Sequence, residues 1–533
     1  MVRKTWLKSL FSMCLIASLS TGSPAAPSSA GALSLPFKDI SSSYAKEEIT
    51  ELYHQQVVIG VGDARFEPKR PVSREEFMTM LGKSLSLEPL SSEVAAFSDV
   101  PKPSWSYGWV QAGNALGLIK GTSEVTFTPK SSIRREEAAA ILVRAIHKGE
   151  NPASNLALNY LDSAHVSPWA HSFVQAAREQ GLMSGYEGKF RPQDPVTREE
   201  MAILLKKLLD KQEGDPTGKT SQIFLGWQYA SKGDDFKQRV HQSALLNTLS
   251  PRWFMLNKDG TIDDSADLSL VDWAHKQGYK VWVLVGNRFD AEASHQVLSQ
   301  PDKRKEMVQT LTALATKYKL DGLNIDFEGL YPKDRDAYTA FISELGAALR
   351  PLHITLSVDI PPDLDHEWSD PFDYAALGKH ADYLVLMGYD EHWATSPAAG
   401  SVASLPWLER GIERLISDVP ASKVIVGLPL YTRDWTKENN KVKSSELLLH
   451  QQSQLLSGQP TQTKWDPKTG QYVATYQKNG VTHTIWTEES RSLALKYQTA
   501  IEKGVAGVAF WSIGGETPDV WTSLRNVLKF YSK

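Results

Sequence analysis

Eight short apolar runs rich in β-branched residues, separated by helical stretches, recur through the C-terminal part of the chain. They lie at 222–229, 251–256, 280–286, 322–328, 354–360, 383–389, 424–430 and 505–512. An apolar-periodic helix at 338–349 separates the fourth run from the fifth. Strands that alternate with helices pair as a parallel sheet, because each helix carries the chain back to the starting edge. Eight such units in the 312 residues from 222 to 533 fit an α/β fold of the (β/α)8 type, usually about 250 residues plus insertions. An open doubly wound sheet is the alternative, and the lack of a Gly-rich phosphate turn after the first run weighs against it. Beyond the seventh run, Tyr431-Thr432-Arg433-Asp434-Trp435 opens an insertion that extends to about Trp486. Gly470 and Gly480 punctuate strand-like segments at 472–476 and 481–485, so the insertion reads as a small α+β unit walling one side of a groove.

The fourth run carries chemistry: Asp321-Gly322-Leu323-Asn324-Ile325-Asp326-Phe327-Glu328. Side chains alternate faces along a strand, so Asn324, Asp326 and Glu328 share one face and Leu323, Ile325 and Phe327 the other. In a barrel the apolar face meets the helices, and the polar face points inward and climbs toward the C-terminal mouth, where barrel enzymes react. A sheet with one solvated face is the blander reading, but such a strand has no wet face. Two carboxylates held together there perturb each other and favour one protonated acid. An acid beside an ionised carboxylate suits glycosidic cleavage, in which the acid protonates the leaving oxygen.

These residues resemble the Asp-x-x-Asp-x-Asp-x-Glu signature of glycoside hydrolase family 18, the chitinase-like barrels. Met387-Gly388-Tyr389-Asp390 at the end of the sixth run and Phe510-Trp511-Ser512 at the end of the eighth are similar to further motifs of that family. The resemblance implies Glu328 as general acid and then base. Asp326 would orient the substrate's 2-acetamido group, whose carbonyl attacks the anomeric carbon. Tyr389 would hydrogen-bond the oxazolinium intermediate, Trp511 would stack under the sugar, and Asp390 would wall the pocket. Asp321, Met387, Glu391 and Trp435 complete the implied substrate-binding set. The implied mechanism retains configuration and needs no metal or cofactor. Asn324 stands where true chitinases commonly have Asp, so it cannot share a proton with Asp326. Asn-Ile-Asp-Phe-Glu, Tyr389-Asp390-Glu391-His392, 399–404 and Glu516-Thr517-Pro518 look like the spore-cortex and cell-wall N-acetylglucosaminidases of the family. That subgroup implies a polysaccharide containing N-acetylglucosamine, peptidoglycan first and chitin as the alternative. A non-catalytic lectin on the same barrel is a competing reading, against which Glu328 argues, and a purely structural surface-layer protein is a third. His392 either lines the site or is simply solvated. Trp435, Trp465 and Trp486 are sugar platforms or packed side chains, and the 16 tryptophans of the chain leave room for both.

The N-terminal part repeats three times between about 37 and 210. Phe66, Phe127 and Phe190 each begin a Phe-x-Pro, and Arg74, Arg135 and Arg198 each follow eight residues later in an Arg-Glu-Glu. Ser73 with Glu76 and Thr197 with Glu200 form capping boxes, whereas Arg134 takes the cap position of the second repeat. Units of this size bury two helices poorly alone, so the three are expected to pack together. They resemble surface-layer homology (SLH) repeats, a mainly α domain that anchors bacterial proteins to an anionic secondary cell-wall polymer. Arg74, Arg135 and Arg198, at helix N-termini, are the expected polymer ligands. The first repeat has Tyr44 where the others have Trp109 and Trp169.

The expected boundaries are a signal peptide at 1–32, repeats at 33–92, 93–155 and 156–210, a linker at 211–220 and the catalytic barrel at 221–533. Arg3, Lys4 and Lys8 precede the apolar stretch 9–18, and small residues follow, which is the layout of a secretory signal. Cys14, the single cysteine, lies in that stretch. No later segment reads as transmembrane, so the product is expected outside the cell, held at the bacterial wall or S-layer surface. With 58 basic against 62 acidic residues the chain has no bulk positive charge for a nucleic acid.

Overall fold

Eight strands, all parallel to their neighbours, close on themselves. They are β1 (Ile223–Gln228), β2 (Thr248–Leu256), β3 (Lys280–Gly286), β4 (Gly322–Asp326), β5 (Thr355–Ile360), β6 (Tyr383–Met387), β7 (Val424–Pro429) and β8 (Gly507–Ile513). β1 pairs with β2 on one side and with β8 on the other, so no edge is left and the open-sheet alternative is excluded. The computed structural model describes residues 35–531 apart from 150, 153–157, 213–221, 230, 365–366 and 440. The expected signal segment and nearly all of the expected linker lie outside the described residues.

The alternation expected of the fourth run holds. Phe327 stacks on Phe341 of the helix Arg335–Leu349 with ring centroids 5.8 Å apart, which sets the outward face. Gly322 belongs to the inward face. A Cβ there would meet the Trp282 ring at 2.5 Å, so glycine is what admits that indole to the barrel floor. Leu225, Trp227, Leu284, Val385, Ile425 and Ala509 fill the rest of the interior. β4 leaves its ladder at Asp326, two residues earlier than the apolar run suggests, and Phe327 and Glu328 belong to the loop at the mouth.

The insertion after β7 is larger than two strands. Five antiparallel strands run Lys441–Leu448, Tyr431–Glu438, Val481–Trp486, Gln471–Lys478 and Gln462–Asp466 across the sheet, with the helix Leu449–Ser457 on the chain between them. The first hairpin, absent from the expectation, delivers Tyr431, Arg433 and Glu446 to the wall of the cleft.

Each N-terminal repeat has a long second helix, Arg74–Ser84, Arg135–Ile146 and Arg198–Gln212, starting at its arginine. Asp39 accepts from the backbone N–H groups of Phe66 and Glu67 at 2.8 Å each, and Asp99 and Asp162 repeat this staple in their own units. The repeats dock on the last barrel helix, Pro518–Tyr531. Glu88 accepts from Arg525 and Lys529 at 2.6 and 2.7 Å, and its backbone exchanges two hydrogen bonds with the Asn526 side chain. Among the described residues no helix is long and apolar enough to cross a membrane.

Candidate active site

The C-terminal ends of the strands open into a cavity of about 200 Å³. Asp326, Glu328, Asp359, Met387, Tyr389, Asp390 and Trp511 line it together. Asn324 sits one step lower and is fully buried. Its Oδ1 accepts from Trp227 Nε1 at 2.7 Å and Ser250 Oγ at 3.1 Å. The indole N–H can only donate, so the amide's orientation is decided, and Nδ2 must face the other way. There it donates to Asp359 Oδ1 at 2.6 Å and Ser357 Oγ at 3.1 Å. Every polar atom of Asn324 is therefore engaged beneath the acids.

Asp359, on β5, is missing from the set read in the sequence. Its signal was the same alternation: Ser357 and Asp359 share a face of the fifth run, and Ser357 pairs in register with Asn324. Burial raises the carboxyl pKa values of Asp326, Glu328 and Asp359. The Asp326 charge pushes Glu328 and Asp359 up further, and Asp390 adds to the rise at Glu328. Three such carboxyls do not all ionise at neutral pH, so the cluster holds at least one proton.

The frame around the acids is rigid. Asn287, just beyond β3, accepts from the Glu328 backbone N–H at 3.0 Å and donates to the Glu328 carbonyl at 2.7 Å. The only sequence signal of this clamp is a polar amide following a buried strand, too weak to single Asn287 out. Trp511 stands edge-on to Trp227, with centroids 5.8 Å apart, and stacks on Tyr229 at 5.5 Å and 29°. Asp390 accepts from the Tyr431 hydroxyl at 2.6 Å, and burial raises both pKa values. Tyr389 packs edge-on against Tyr431, and burial lifts its hydroxyl well above the ordinary range. Among the described residues no group of three or more His, Cys, Asp or Glu side chains converges as a metal site.

Other expected site residues lie elsewhere. Asp321 is at the opposite end of β4, where it accepts from the Val281 backbone N–H at 2.8 Å and pairs with His275 at 2.8 Å. It precedes the strand and ties the barrel's N-terminal end, so it does not reach substrate. Glu391 accepts from the backbone N–H and hydroxyl of Ser404 at 2.6 and 3.0 Å, fixing the loop before the helix Leu405–Ile416. Trp435 is only 2% exposed and packs inside the insertion, so it offers no platform. His392 bonds the Ser401 carbonyl at 2.9 Å and lies against Gly400, away from the cleft. Trp465 is covered by the Arg491 guanidinium at 3.4 Å.

The three repeat arginines, expected as polymer ligands, are buried instead. Arg74, Arg135 and Arg198 are 5%, 6% and 4% exposed. Nε of Arg74 donates to the Phe127 carbonyl at 2.7 Å, that of Arg135 to Phe190 at 3.0 Å and that of Arg198 to Phe66 at 2.7 Å. First repeat thus binds second, second binds third, and third returns to first. The same order joins Arg74 to Glu137, Arg135 to Glu200 and Arg198 to Glu76. The helix-start N–H groups are taken as well: Arg74 and Glu75 donate to Ser131 and Pro129, and the other two repeats copy the pattern. These arginines close a pseudo-threefold ring rather than face an anion. Trp109 packs over Gly82, whereas Tyr44, Trp105 and Trp169 occupy equivalent exposed positions.

The profile of Glycosyl hydrolases family 18 matches residues 224–516. The chain belongs to this family. It is therefore a glycosidase by family, and three S-layer homology domains match at 36–78, 96–139 and 159–202. It is 31% identical over 297 residues to the Bacillus subtilis (strain 168) protein named Uncharacterized glycosylase YvbX, covering 53% of this chain and 85% of that one. It is 26% identical over 287 residues to the Cortical fragment-lytic enzyme of Bacillus anthracis, covering 51% of this chain and 65% of the relative, under two thirds of its length. Among solved structures, a chitinase from Chromobacterium violaceum ATCC 12472 superposes with a TM-score of 0.53 at 26% identity, covering 58% of this chain and 99% of the other. The Bacillus cereus spore cortex-lytic enzyme SleL superposes with a TM-score of 0.52 at 22% identity, over 58% and 75% of the two chains, a likeness of fold. The repeats are 32% identical over 180 residues to the Surface-layer 125 kDa protein of Lysinibacillus sphaericus, covering 33% of this chain and 15% of that one.

Proposed function

We propose that this chain is a secreted, wall-anchored glycosidase that cuts β-linked N-acetylglucosamine polymer, peptidoglycan in particular, with retention of configuration. The observation that carries it is the cluster of Asp326, Glu328 and Asp359 against Tyr389 and the Trp511 floor in one cavity. Burial and neighbouring charge keep Glu328 protonated, so it delivers its proton to the glycosidic oxygen as the bond to the anomeric carbon breaks. The substrate's own acetamido oxygen attacks that carbon, and Asp326 accepts the amide N–H and balances the positive charge that grows on the ring formed. Tyr389 donates to the same group. Glu328, now ionised, takes a proton from the water that opens the oxazolinium, and the starting state returns. Asn324 stays out of the proton traffic and holds Asp359 in place.

The likeness to proteins named for cortical fragments supports peptidoglycan, and the likeness to a chitinase keeps chitin as the second substrate. Anchoring to a secondary wall polymer falls to the three SLH domains, through exposed Tyr44, Trp105 and Trp169 instead of the buried arginines. The test is reducing-end release from purified peptidoglycan and from chitin oligomers, wild type beside Glu328→Gln. Release by wild type alone supports the glycosidase; binding by both proteins with cleavage by neither supports a lectin; cleavage of chitin alone removes peptidoglycan.

A further inference from the structure

Beyond the Trp511–Tyr229 stack the cleft continues into a second hollow of about 370 Å³. Tyr229 and Arg252 wall both spaces, and Lys232 and Lys237 line the far one. The Arg252 guanidinium lies 5.5 Å from the Tyr229 ring centre, a contact that orients it without neutralising it. Among the described residues neither Arg252 nor Lys232 has a carboxylate within ion-pair distance, and both are exposed to this hollow; Arg252 also lines the catalytic cavity, where its charge acts on Asp326 and Glu328 from further away. The other arginines nearby are paired: Arg433 with Glu446 at 3.8 Å, Arg239 with Glu516 at 3.7 Å, and Arg288 with Asp263. Lys237 has Asp234 at 3.7 Å. Asp267, the one acid among the described residues that line the hollow, is committed to capping the helix Leu268–Lys276, accepting from Ser269 N–H at 2.9 Å.

The cleft is therefore charged asymmetrically. The end at Glu328 and Asp390 carries carboxyl groups and runs on into aromatic surface at Trp368 and Trp393, and among the described residues no lysine or arginine lines it. The end past Tyr229 is basic, and among the described residues its Arg252 and Lys232 are tied into no ion pair. A neutral chain of N-acetylglucosamine offers these two cations no opposite charge. A chain whose sugars carry carboxylates does, and a guanidinium binds a carboxylate with two parallel hydrogen bonds.

We propose that Arg252 and Lys232 form an anion subsite that takes a carboxylate carried by the sugar next to the one stacked on Trp511. This rests on the glycosidase reading and deepens it: the ligand is an acidic, carboxylate-substituted amino-sugar polymer. The carboxylate comes from a stem peptide or from a lactyl ether on the sugar itself. Glycan strands with peptides attached, the same strands stripped of peptides to expose lactyl carboxylates, and chitin oligomers separate the two sources.

The experiment measures kcat/KM on the three substrates for the full chain, wild type beside Lys232→Gln and Arg252→Gln. The same three ligands are titrated against Glu328→Gln with and without the two changes. The ratio of acidic to neutral kcat/KM is expected to fall about tenfold in each single variant, as one charge-assisted contact implies. In wild type alone, that ratio is also expected to fall with added salt. Equal losses on acidic and neutral substrates, or an unchanged ratio, overturn the subsite. If wild type cuts nothing, the glycosidase reading fails by itself. The titrations then decide the subsite: preference for acidic ligand lost with Arg252 and Lys232 sustains it, and no preference ends it.

Discussion

Asn324 Nδ2 donates to Asp359 Oδ1 at 2.6 Å, directly beneath the acids that line the cleft. An amide at this position always presents a donor, so Asp359 is solvated from below whichever carboxyl above it carries the proton. Asn324→Asp replaces that donor with an oxygen facing an oxygen. The pair then has to hold a proton, and the added acid raises the pKa of Asp326. Asp326 acts ionised, so the acidic limb of the kcat/KM profile is expected to move to higher pH, by about one unit. A pH–rate series on a soluble chito-oligosaccharide reads this directly, and an unmoved limb uncouples Asn324 from Asp326. Asn324→Leu leaves Asp359 and the Trp227 indole unpartnered and is expected to lower stability by roughly 2–6 kcal/mol, at about 1–3 kcal/mol for each orphaned group, checked by denaturant unfolding.

Glu328 acts protonated, so activity is lost as pH rises through its elevated pKa. Asp390 contributes to that elevation by its charge. Asp390→Asn removes the charge, lowers the Glu328 pKa and is expected to shift the basic limb to lower pH. Glu328→Gln is expected to reduce kcat by about 10²–10⁴ while substrate still binds, because only the proton transfer is removed. Single-turnover kinetics with equilibrium titration separates the two effects.

The repeat ring assigns opposite outcomes to two kinds of change. Arg198 is the side chain through which the third repeat returns to the first. Arg198→Ala removes a buried cation and strands the Phe66 and Ile59 carbonyls, while Glu76 keeps Arg70, an expected cost of roughly 2–6 kcal/mol at about 1–3 kcal/mol for each orphaned group. Thermal unfolding should show it, and wall binding should fail together with the fold. Trp169→Ala and Trp105→Ala, at exposed positions, should leave the melting temperature almost unchanged and weaken pull-down on purified wall. Wall binding that survives the tryptophan changes would move the polymer site elsewhere.

The barrel was legible because period-two alternation leaves little choice: Leu323, Ile325 and Phe327 could face only the helices, which sent Asn324 and Asp326 inward. Asp359 obeys the same rule, but its meaning depends on the register that sets Ser357 opposite Asn324, and pairing between strands is not a local property. The repeat arginines show the converse failure. Their spacing is visible, yet burial comes from packing against another repeat, 53 to 132 residues away in the chain, and an isolated helix start looks identical whether a carbonyl or a ligand meets it. Trp435 and Trp511 look alike in the sequence; which one stays open is decided by pairing, because Trp435 is buried in the insertion sheet between Ser444 and Thr484 whereas Trp511, near the end of β8, lines the cavity.

The contact between anchor and barrel has its own pH signature. Arg525 and Lys529 hold the Glu88 carboxyl down to about 2, against an ordinary 4.5. A depressed carboxyl stabilises the folded state fully above its unfolded pKa, and that contribution fades as pH falls from about 4.5 to about 2. Glu88→Gln should therefore destabilise the docked arrangement most at pH 6–7 and progressively less below pH 4. Asn526 bonds only the Glu88 backbone and keeps its two hydrogen bonds in the variant, so the loss should be partial. Calorimetry checks both points: at neutral pH the variant should separate the melting of the repeats from that of the barrel more widely than wild type does, and near pH 2 the two proteins should melt alike. An equal difference at both pH values would mean that the Glu88 charge does not hold the domains together.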